Sequence, residues 1–261
     1  MGDLNWLRIS TRLDITTIHS ILSAYSHKPS DQHLSSAMHV IKYRVSNPSH
    51  GLYFSHKHPS RLQAFFPTPP SLTGYTNANW GPMDALVPKP NTQGPEQSLL
   101  SLRLISGWII LHHRTPVAWG CLWQSDTEHF SYQAEVHAIN ETTKHLLSLK
   151  LLFRDIHQPI THPITIYNDN TGAVQWSKDT TAKKMKWVDL RENFVRENVL
   201  SNNINVTHVP EKKNTSDILT KEFKDTSHYL AARDSILMNI SDFNKKEIPK
   251  RQVTFTDPLT M

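Results

Sequence analysis

One cysteine, Cys121, is all the thiol chemistry available to this chain of 261 residues. That excludes an internal disulfide framework and any multi-cysteine metal site, and it points to a reducing compartment. Long apolar runs are also missing. The longest, around Trp108-Ile109-Ile110-Leu111 and from Leu146 to Phe153, suit a core strand and a core helix and fall short of the roughly eighteen residues a membrane span requires. No membrane partner is therefore expected. The opening Met-Gly-Asp-Leu-Asn-Trp has neither a basic stretch nor a long apolar one, so no secretory signal is expected and an intracellular site follows. The 16 histidines are scattered, without a His-Glu-x-x-His spacing that would bind zinc, and no internal repeat is visible. What is present is a modest basic excess, 28 Lys and Arg against 23 Asp and Glu, which leans toward acidic partners such as nucleic acid without deciding anything alone.

Residues 1–46 read as helical. Ile15, Ile18, Ile21, Leu22 and Tyr25 follow the spacing of an amphipathic helix beginning near Asp14, and Asp31 is placed to cap a second carrying Leu34, Met38, Ile41 and Tyr43. Gly51 to Ser55 reads as a short strand. The prolines 59, 67, 69 and 70 then break regular structure and mark a domain boundary, giving segments 1–70 and 71–240 and a basic tail, 241–261, of disordered composition. Beyond the boundary, strands are predicted over Leu72 to Asn79, Gly107 to His113 and Pro116 to Trp123, with a proline-rich loop from Gly81 to Arg103. A long helix covers Phe130 to Ile156. It is followed by a strand from Ile164 to Tyr167, a short helix through Ala173, Val174 and Trp176, and a helix from Asp189 to Leu200. A strand from Ile204 to Val209 and a last helix from Ser216 to Ile240 complete the chain. A strand hairpin followed by helix–strand alternation implies an α/β fold, with a mixed sheet flanked by helices.

Three carboxylates stand out against this pattern. At 100° per residue, Ala138, Ile139, Leu146, Leu149 and Phe153 all fall within about 60° of Glu135, so an acid shares the buried stripe of the long helix. Asp169 ends a buried-type strand, and Asp217 begins the last helix. Each has an ordinary alternative: a first-turn acid at Glu135, an N-cap at Asp169, and a first-turn acid at Asp217. Together, however, a strand end and two helix starts can converge at one edge of a mixed sheet. Three converging acids repel unless a cation neutralises them, which predicts a hard divalent ion, Mg²⁺ or Mn²⁺, bound through oxygen. Two such ions about 4 Å apart are the apparatus for attack of water on a phosphodiester.

Several motifs carry a family resemblance. They are Leu72-Thr73-Gly74-Tyr75-Thr76-Asn77-Ala78-Asn79-Trp80, Ser106-Gly107-Trp108, Pro116-Val117-Ala118-Trp119, Ala134-Glu135-Val136-His137-Ala138 and Tyr167-Asn168-Asp169-Asn170. Val188-Asp189-Leu190-Arg191, Phe194-Val195-Arg196-Glu197 and Asp217-Ile218-Leu219-Thr220-Lys221 follow in order. This set resembles the ribonuclease H region of copia-type LTR-retrotransposon Pol polyproteins. Upstream, Thr11-Arg12-Leu13-Asp14-Ile15 and Gly51-Leu52-Tyr53 resemble the end of the reverse transcriptase. The resemblance implies a five-stranded ribonuclease H-like sheet preceded by a small helical connection segment. It also implies two-metal hydrolysis of the RNA strand of RNA–DNA hybrids, with the polymerase part of a reverse transcriptase as a possible partner. Location would be in cytoplasmic virus-like particles or the nucleus. No Tyr-x-Asp-Asp is present, so no polymerase activity is expected, and the chain reads as a fragment starting late in the reverse transcriptase.

By the same resemblance Glu135, Asp169 and Asp217 fall on three of four metal-binding positions. The fourth departs: where the family has Thr-Asp-Ala, this chain has Thr76-Asn77-Ala78. An amide offers a neutral oxygen and an NH₂ that repels cations, so metal binding and hydrolysis are expected to be weakened. Asn79 is also an amide and Asp84 lies in the loop, so neither restores the charge, and Trp187 is a second departure without a clear consequence. The alternative is a catalytically inactive hybrid-binding or vestigial domain, using Lys183, Lys184, Lys186, Arg191 and Arg196, although such a basic run is by default a solvated helix face. His208 is placed near the site but suits simple packing. Trp80, Trp108, Trp119, Trp123 and Trp176 are assigned to the core rather than to base stacking.

Overall fold

A computed structural model describes residues 1–54, 72–79, 104–124, 131–179, 190–221 and 226–239. The predicted loop 81–103, the boundary near residue 70 and the tail 241–261 lie outside the described residues. Strands β2 (Leu72–Asn79), β3 (Ile105–His112) and β4 (Thr115–Trp123) follow an N-terminal helical segment. Next come α4 (Ser131–Asp155), β5 (Ile164–Asn168), α5 (Thr171–Lys178), α6 (Leu190–Leu200) and β6 (Ile204–His208). The five strands form one mixed sheet in the order β4-β3-β2-β5-β6. β2, β3 and β4 run antiparallel, whereas β5 and β6 lie parallel to β2. The hairpin turn between β3 and β4 uses positive φ at both His113 and Arg114, the backbone that matches the right-handed twist of the flanking strands. This strand order with flanking helices matches the ribonuclease H-like α/β fold.

Alternation along β3 distributes its side chains between two cores. Trp108 and Ile110 join Val136, Ile139, Leu146, Ile166 and Val206 under α4, α5 and α6. Ile105, Ile109 and Leu111 face the opposite side, where they meet Leu13, Ile21 and Tyr25 from the N-terminal segment and Ile218, Leu219 and Ile236 from the C-terminal one. At about 1.5–3 kcal/mol for each fully buried aliphatic side chain, the two faces are both substantial. Gly74 lets α4 lie flat on β2, since a Cβ there would sit 3.0 Å from Leu146 and Thr142 side-chain carbons.

The N-terminal segment comprises α1 (Gly2–Ser10), a 3₁₀ turn (Leu13–Ile15), α2 (Thr16–Ala24) and α3 (Asp31–Ser46). Two indoles of β4 donate into it: Trp119 Nε1 to the Arg8 carbonyl at 2.6 Å and Trp123 Nε1 to the Ser20 carbonyl at 3.2 Å. Arg12 and Asp14 form a buried pair at 2.7 Å. Tyr43 donates to the same Asp14 carboxylate, and Arg233 Nη1 donates to Tyr43 Oη and to Asn47 Oδ1.

Four expectations need correction. The α3 cap is Ser30, whose hydroxyl accepts from the His33 backbone N–H, rather than Asp31. Its Leu34, Met38 and Ile41 stripe is exposed, at 63%, 47% and 44%. The buried side is instead set by His33 and Val40 and by the Tyr43 bond to Asp14. The strand expected at Gly51 to Ser55 is a two-residue bridge, β1 (His50–Gly51), paired antiparallel with β7 (Met238–Asn239). The last helix is not continuous from Ser216. Residues Thr215–Leu219 form a 3₁₀ turn, α7 covers Thr226–Ile236, and β7 follows.

Candidate functional site

The C-terminal ends of the two central strands gather the polar groups of interest. Asn77, 2% exposed, points to the same side of β2 as Tyr75 because side chains alternate along a strand. The Thr215–Leu219 turn packs on that side over Gly107, where a Cβ would lie 2.6 Å from Thr220 Cγ2 and 2.7 Å from Leu219 Cβ. Only glycine allows this approach, which brings Asp217 against Asn77. The Asn77 amide donates to Asp217 Oδ1 at 2.5 Å and to Thr220 Oγ1 at 3.1 Å. Lys221 Nζ donates to the other Asp217 oxygen at 3.0 Å and to Glu211 at 2.7 Å.

Glu135 approaches from α4. Ala134 and Ala138 beside it are fully buried, and their small side chains let the first turns of α4 sit close to β2. Glu135 Oε2 accepts from the Ala78 backbone N–H at 3.1 Å and from Asn168 Nδ2 at 2.7 Å. Asp169 follows Asn168 at the end of β5, and the Asn214 amide donates nearby to the Thr76 carbonyl at 3.1 Å. The cap of α5 is Asn170, which accepts from the Ala173 N–H, so Asp169 is spared that duty. The cap of the Thr215–Leu219 turn is likewise Asn214 rather than Asp217.

The three acids feel one another's fields. Burial pushes the Glu135 carboxyl up to about 8, against the lowering effect of the Asn168 hydrogen bond, and the charges of Asp169 and Asp217 add to the rise. Burial takes Asp217 up to about 6, opposed by the Lys221 ammonium and reinforced by Asp169 and Glu211. Asp169 is raised by burial too, with Lys221 again opposing. Carboxyls from a strand end, a helix and a 3₁₀ turn therefore belong to one electrostatic cluster.

No family model matches the chain. It is 26% identical over 222 residues to the retrovirus-related Pol polyprotein from transposon RE2 of Arabidopsis thaliana, covering 85% of this chain and 14% of that protein. The corresponding polyprotein from transposon RE1 of the same plant is 25% identical over 228 residues, 87% of this chain and 14% of that protein. The one from transposon TNT 1-94 of Nicotiana tabacum is 22% identical over 225 residues, 85% and 15%. The chain is homologous to part of retrotransposon Pol polyproteins. It spans only 14–15% of the length of these relatives. Among solved structures, a ribonuclease H1 isolated from compost covers 57% of this chain and 92% of its own, at TM-score 0.38 and 14% identity. A ribonuclease H1 in complex with an RNA/DNA hybrid gives 57%, 93%, 0.36 and 15%. The ribonuclease H-like assignment rests on the strand order rather than on these scores.

In this ribonuclease H-like sheet the four positions singled out by sequence, Asn77, Glu135, Asp169 and Asp217, are brought together. The donors they already accept do not suit a divalent cation. Both Asp217 oxygens and the Glu135 Oε2 are occupied by N–H groups, and among the described residues no group of three His, Cys, Asp or Glu is arranged to hold a metal ion. As arranged, the side chains do not fit the expected Mg²⁺ or Mn²⁺. Of the basic run, Lys183, Lys184 and Lys186 and the Arg191 side chain lie outside the described residues. Arg196 lies over the Trp176 ring, 4.2 Å from its centroid. Trp187, Trp80 and Asp84 are likewise outside. His208 is exposed at the end of β6, paired in register with Asn168. Trp108 is buried, and Trp119, Trp123 and Trp176 are partly buried against the two cores, as packing predicts.

Three contributors were missed. Lys221 had a legible signal, four residues after Asp217, where a helical turn would pair them. Asn168 and Asn214 had none, because nothing local distinguishes an amide that orients a distant carboxylate from one that ends a strand or caps a turn.

Proposed function

We propose that this chain is the ribonuclease H-like domain, with the end of the reverse transcriptase before it, of a copia-type retrotransposon Pol polyprotein. On this reading it binds RNA–DNA hybrid, and two-metal hydrolysis of the RNA strand is impaired. The observation that carries the reading is the Asn77 amide on the central strand, donating to Asp217 in a cluster that also contains Glu135 and Asp169. The basic excess of the chain favours a nucleic acid duplex, and acids gathered at the ends of two strands would reach its phosphates only through a cation held between them. The sequence-level division into a connection-like segment 1–70, a ribonuclease H-like domain 71–240 and a basic tail 241–261 belongs to the same proposal. So do hybrid contacts from Lys183, Lys184, Lys186, Arg191 and Arg196, and weakened binding of Mg²⁺ or Mn²⁺ by Glu135, Asp169 and Asp217.

The second reading, a hybrid-binding domain without hydrolysis, is favoured by the occupied Asp217 oxygens. One assay decides between them. A labelled RNA–DNA hybrid is incubated with Mg²⁺ or Mn²⁺ and the wild-type chain, the Asn77→Asp variant, or Asn77→Asp combined with Glu135→Gln. Impairment predicts that cleavage rises by at least about a hundredfold in Asn77→Asp, as expected for a restored carboxylate at a transition state, and disappears in the double variant. A wild-type rate that Asn77→Asp does not improve overturns impairment. Salt-dependent binding with cleavage by none of the three supports the second reading.

A further inference from the structure

Asn and Asp have the same shape and differ in one group, NH₂ against O⁻. At position 77 that difference decides what stands between β2 and Asp217. The amide makes a direct hydrogen bond to Oδ1. A carboxylate in its place would set two anionic oxygens against each other, an arrangement that holds only with a proton or a cation between them. The second Asp217 oxygen meets the same kind of partner. The Lys221 ammonium lies 3.0 Å away on a side chain 30% exposed, while the Asp217 side chain is 2% exposed. Glu211 holds the ammonium from the other side at 2.7 Å, so its position does not depend on Asp217 alone.

We propose that the Asn77 amide and the Lys221 ammonium together stand in for a divalent cation at Asp217, so that the site is assembled, and hybrid is bound, without Mg²⁺ or Mn²⁺. The first half is a property of the free chain; the second rests on the hybrid-binding reading above. A tethered ammonium is present at high effective concentration. An entering Mg²⁺ would have to displace it, find its remaining ligands among fewer carboxylates, and shed waters that it gives up reluctantly.

The test uses the full chain without nucleic acid. Mn²⁺ is titrated by the electron paramagnetic resonance signal of the free ion, and thermal unfolding is followed with and without Mn²⁺. Wild type should leave the Mn²⁺ signal and its Tm unchanged. Lys221→Met frees one Asp217 oxygen, Asn77→Asp adds a fourth carboxylate, and the double variant should bind Mn²⁺ at least about tenfold more tightly than either single. Its Tm should rise on Mn²⁺ addition by mass action. Mn²⁺ binding by wild type as tight as by the double variant overturns the proposal, and so does a double variant that is folded by circular dichroism and gains no affinity. If the added carboxylate unfolds the chain, Lys221→Met alone keeps the comparison, and its failure to exceed wild type overturns the proposal equally. Hybrid binding is then measured in EDTA and in Mg²⁺. Equal affinities support metal independence, and affinity seen only with Mg²⁺ overturns it. No affinity in either overturns the hybrid reading while the Mn²⁺ result stands.

Discussion

Asp14 and Asp217 are both buried carboxylates on 3₁₀ turns, yet they are settled differently. Asp14 takes a two-pronged guanidinium bond from Arg12, at 2.9 and 2.7 Å, together with the Tyr43 hydroxyl at 2.7 Å. Bidentate geometry satisfies the acceptor and the donor at once. Asp217 takes one amide and one partly exposed ammonium, and it sits in the field of two further acids. The first arrangement is a lock within the N-terminal segment, tied to α7 through Tyr229 and Arg233. The second is a cluster with carboxylates to spare. The same residue type is thus paired for architecture in one place and set among further acids that raise its pKa in the other.

The comparison breaks most severely if the N-terminal segment is removed. A chain beginning at residue 72 uncovers Ile105, Ile109, Leu111 and Cys121 and strands the Trp119 and Trp123 donors. It should lose cooperative urea unfolding and bind a hydrophobic dye, and a cooperative transition like that of the full chain would show that the face does not need its cover. Next is Asp14→Ala, which leaves the Arg12 charge buried and unpaired and should cost about 3–5 kcal/mol by urea denaturation. A loss no larger than that of an exposed pair such as Lys144–Glu141 would deny the lock. Gly107→Ala forces a methyl into Leu219 and Thr220. It should cost about 1–3 kcal/mol and displace Asp217, read as altered backbone amide shifts at 217–221 by NMR.

A pH slope tests the site itself. Glu135 keeps its proton in the folded chain up to about 8, whereas the unfolded chain releases it near the ordinary carboxylate value, about 4.3. The folded state therefore binds more protons between those values. Its contribution to stability is complete at the acid end and is lost as pH rises toward 8. Glu135→Gln should flatten that slope of stability against pH, and an unchanged slope would show that the acid does not titrate in this window. Asp217, taken up to about 6, contributes in the same direction over a lower range.

Much of the scaffold is legible in the sequence. Leu72 to Asn79, with its neighbours in the hairpin, has strand composition, and α4 carries a proline-free apolar stripe with Glu135 upon it. Both depend on periodicity, which is local. The corrections all arise where a partner distant in sequence decides. The exposed side of α3 could not be told from its buried side by spacing, because the bond from Tyr43 to Asp14 sets its rotation. The last helix broke at Thr215–Leu219 because Gly107, more than a hundred residues earlier, receives that turn. The site divides in the same way. Asn77, Glu135, Asp169 and Asp217 were marked by residue type and by motif, while the roles of Lys221, Asn168 and Asn214 needed the fold.

By itself the sequence determined the order of the strands and helices of the sheet, its apolar faces, and the amide at Asn77. It could do so because side-chain chemistry and the periods of helix and strand are written residue by residue. Only the tertiary structure decided that this amide faces Asp217, that an ammonium takes the other oxygen, and that the N-terminal segment and the C-terminal turn and helix together cover one face of the sheet. Contacts of this kind join groups as far as 201 residues apart, as with Thr17 donating to the Ile218 carbonyl, and no local pattern encodes them.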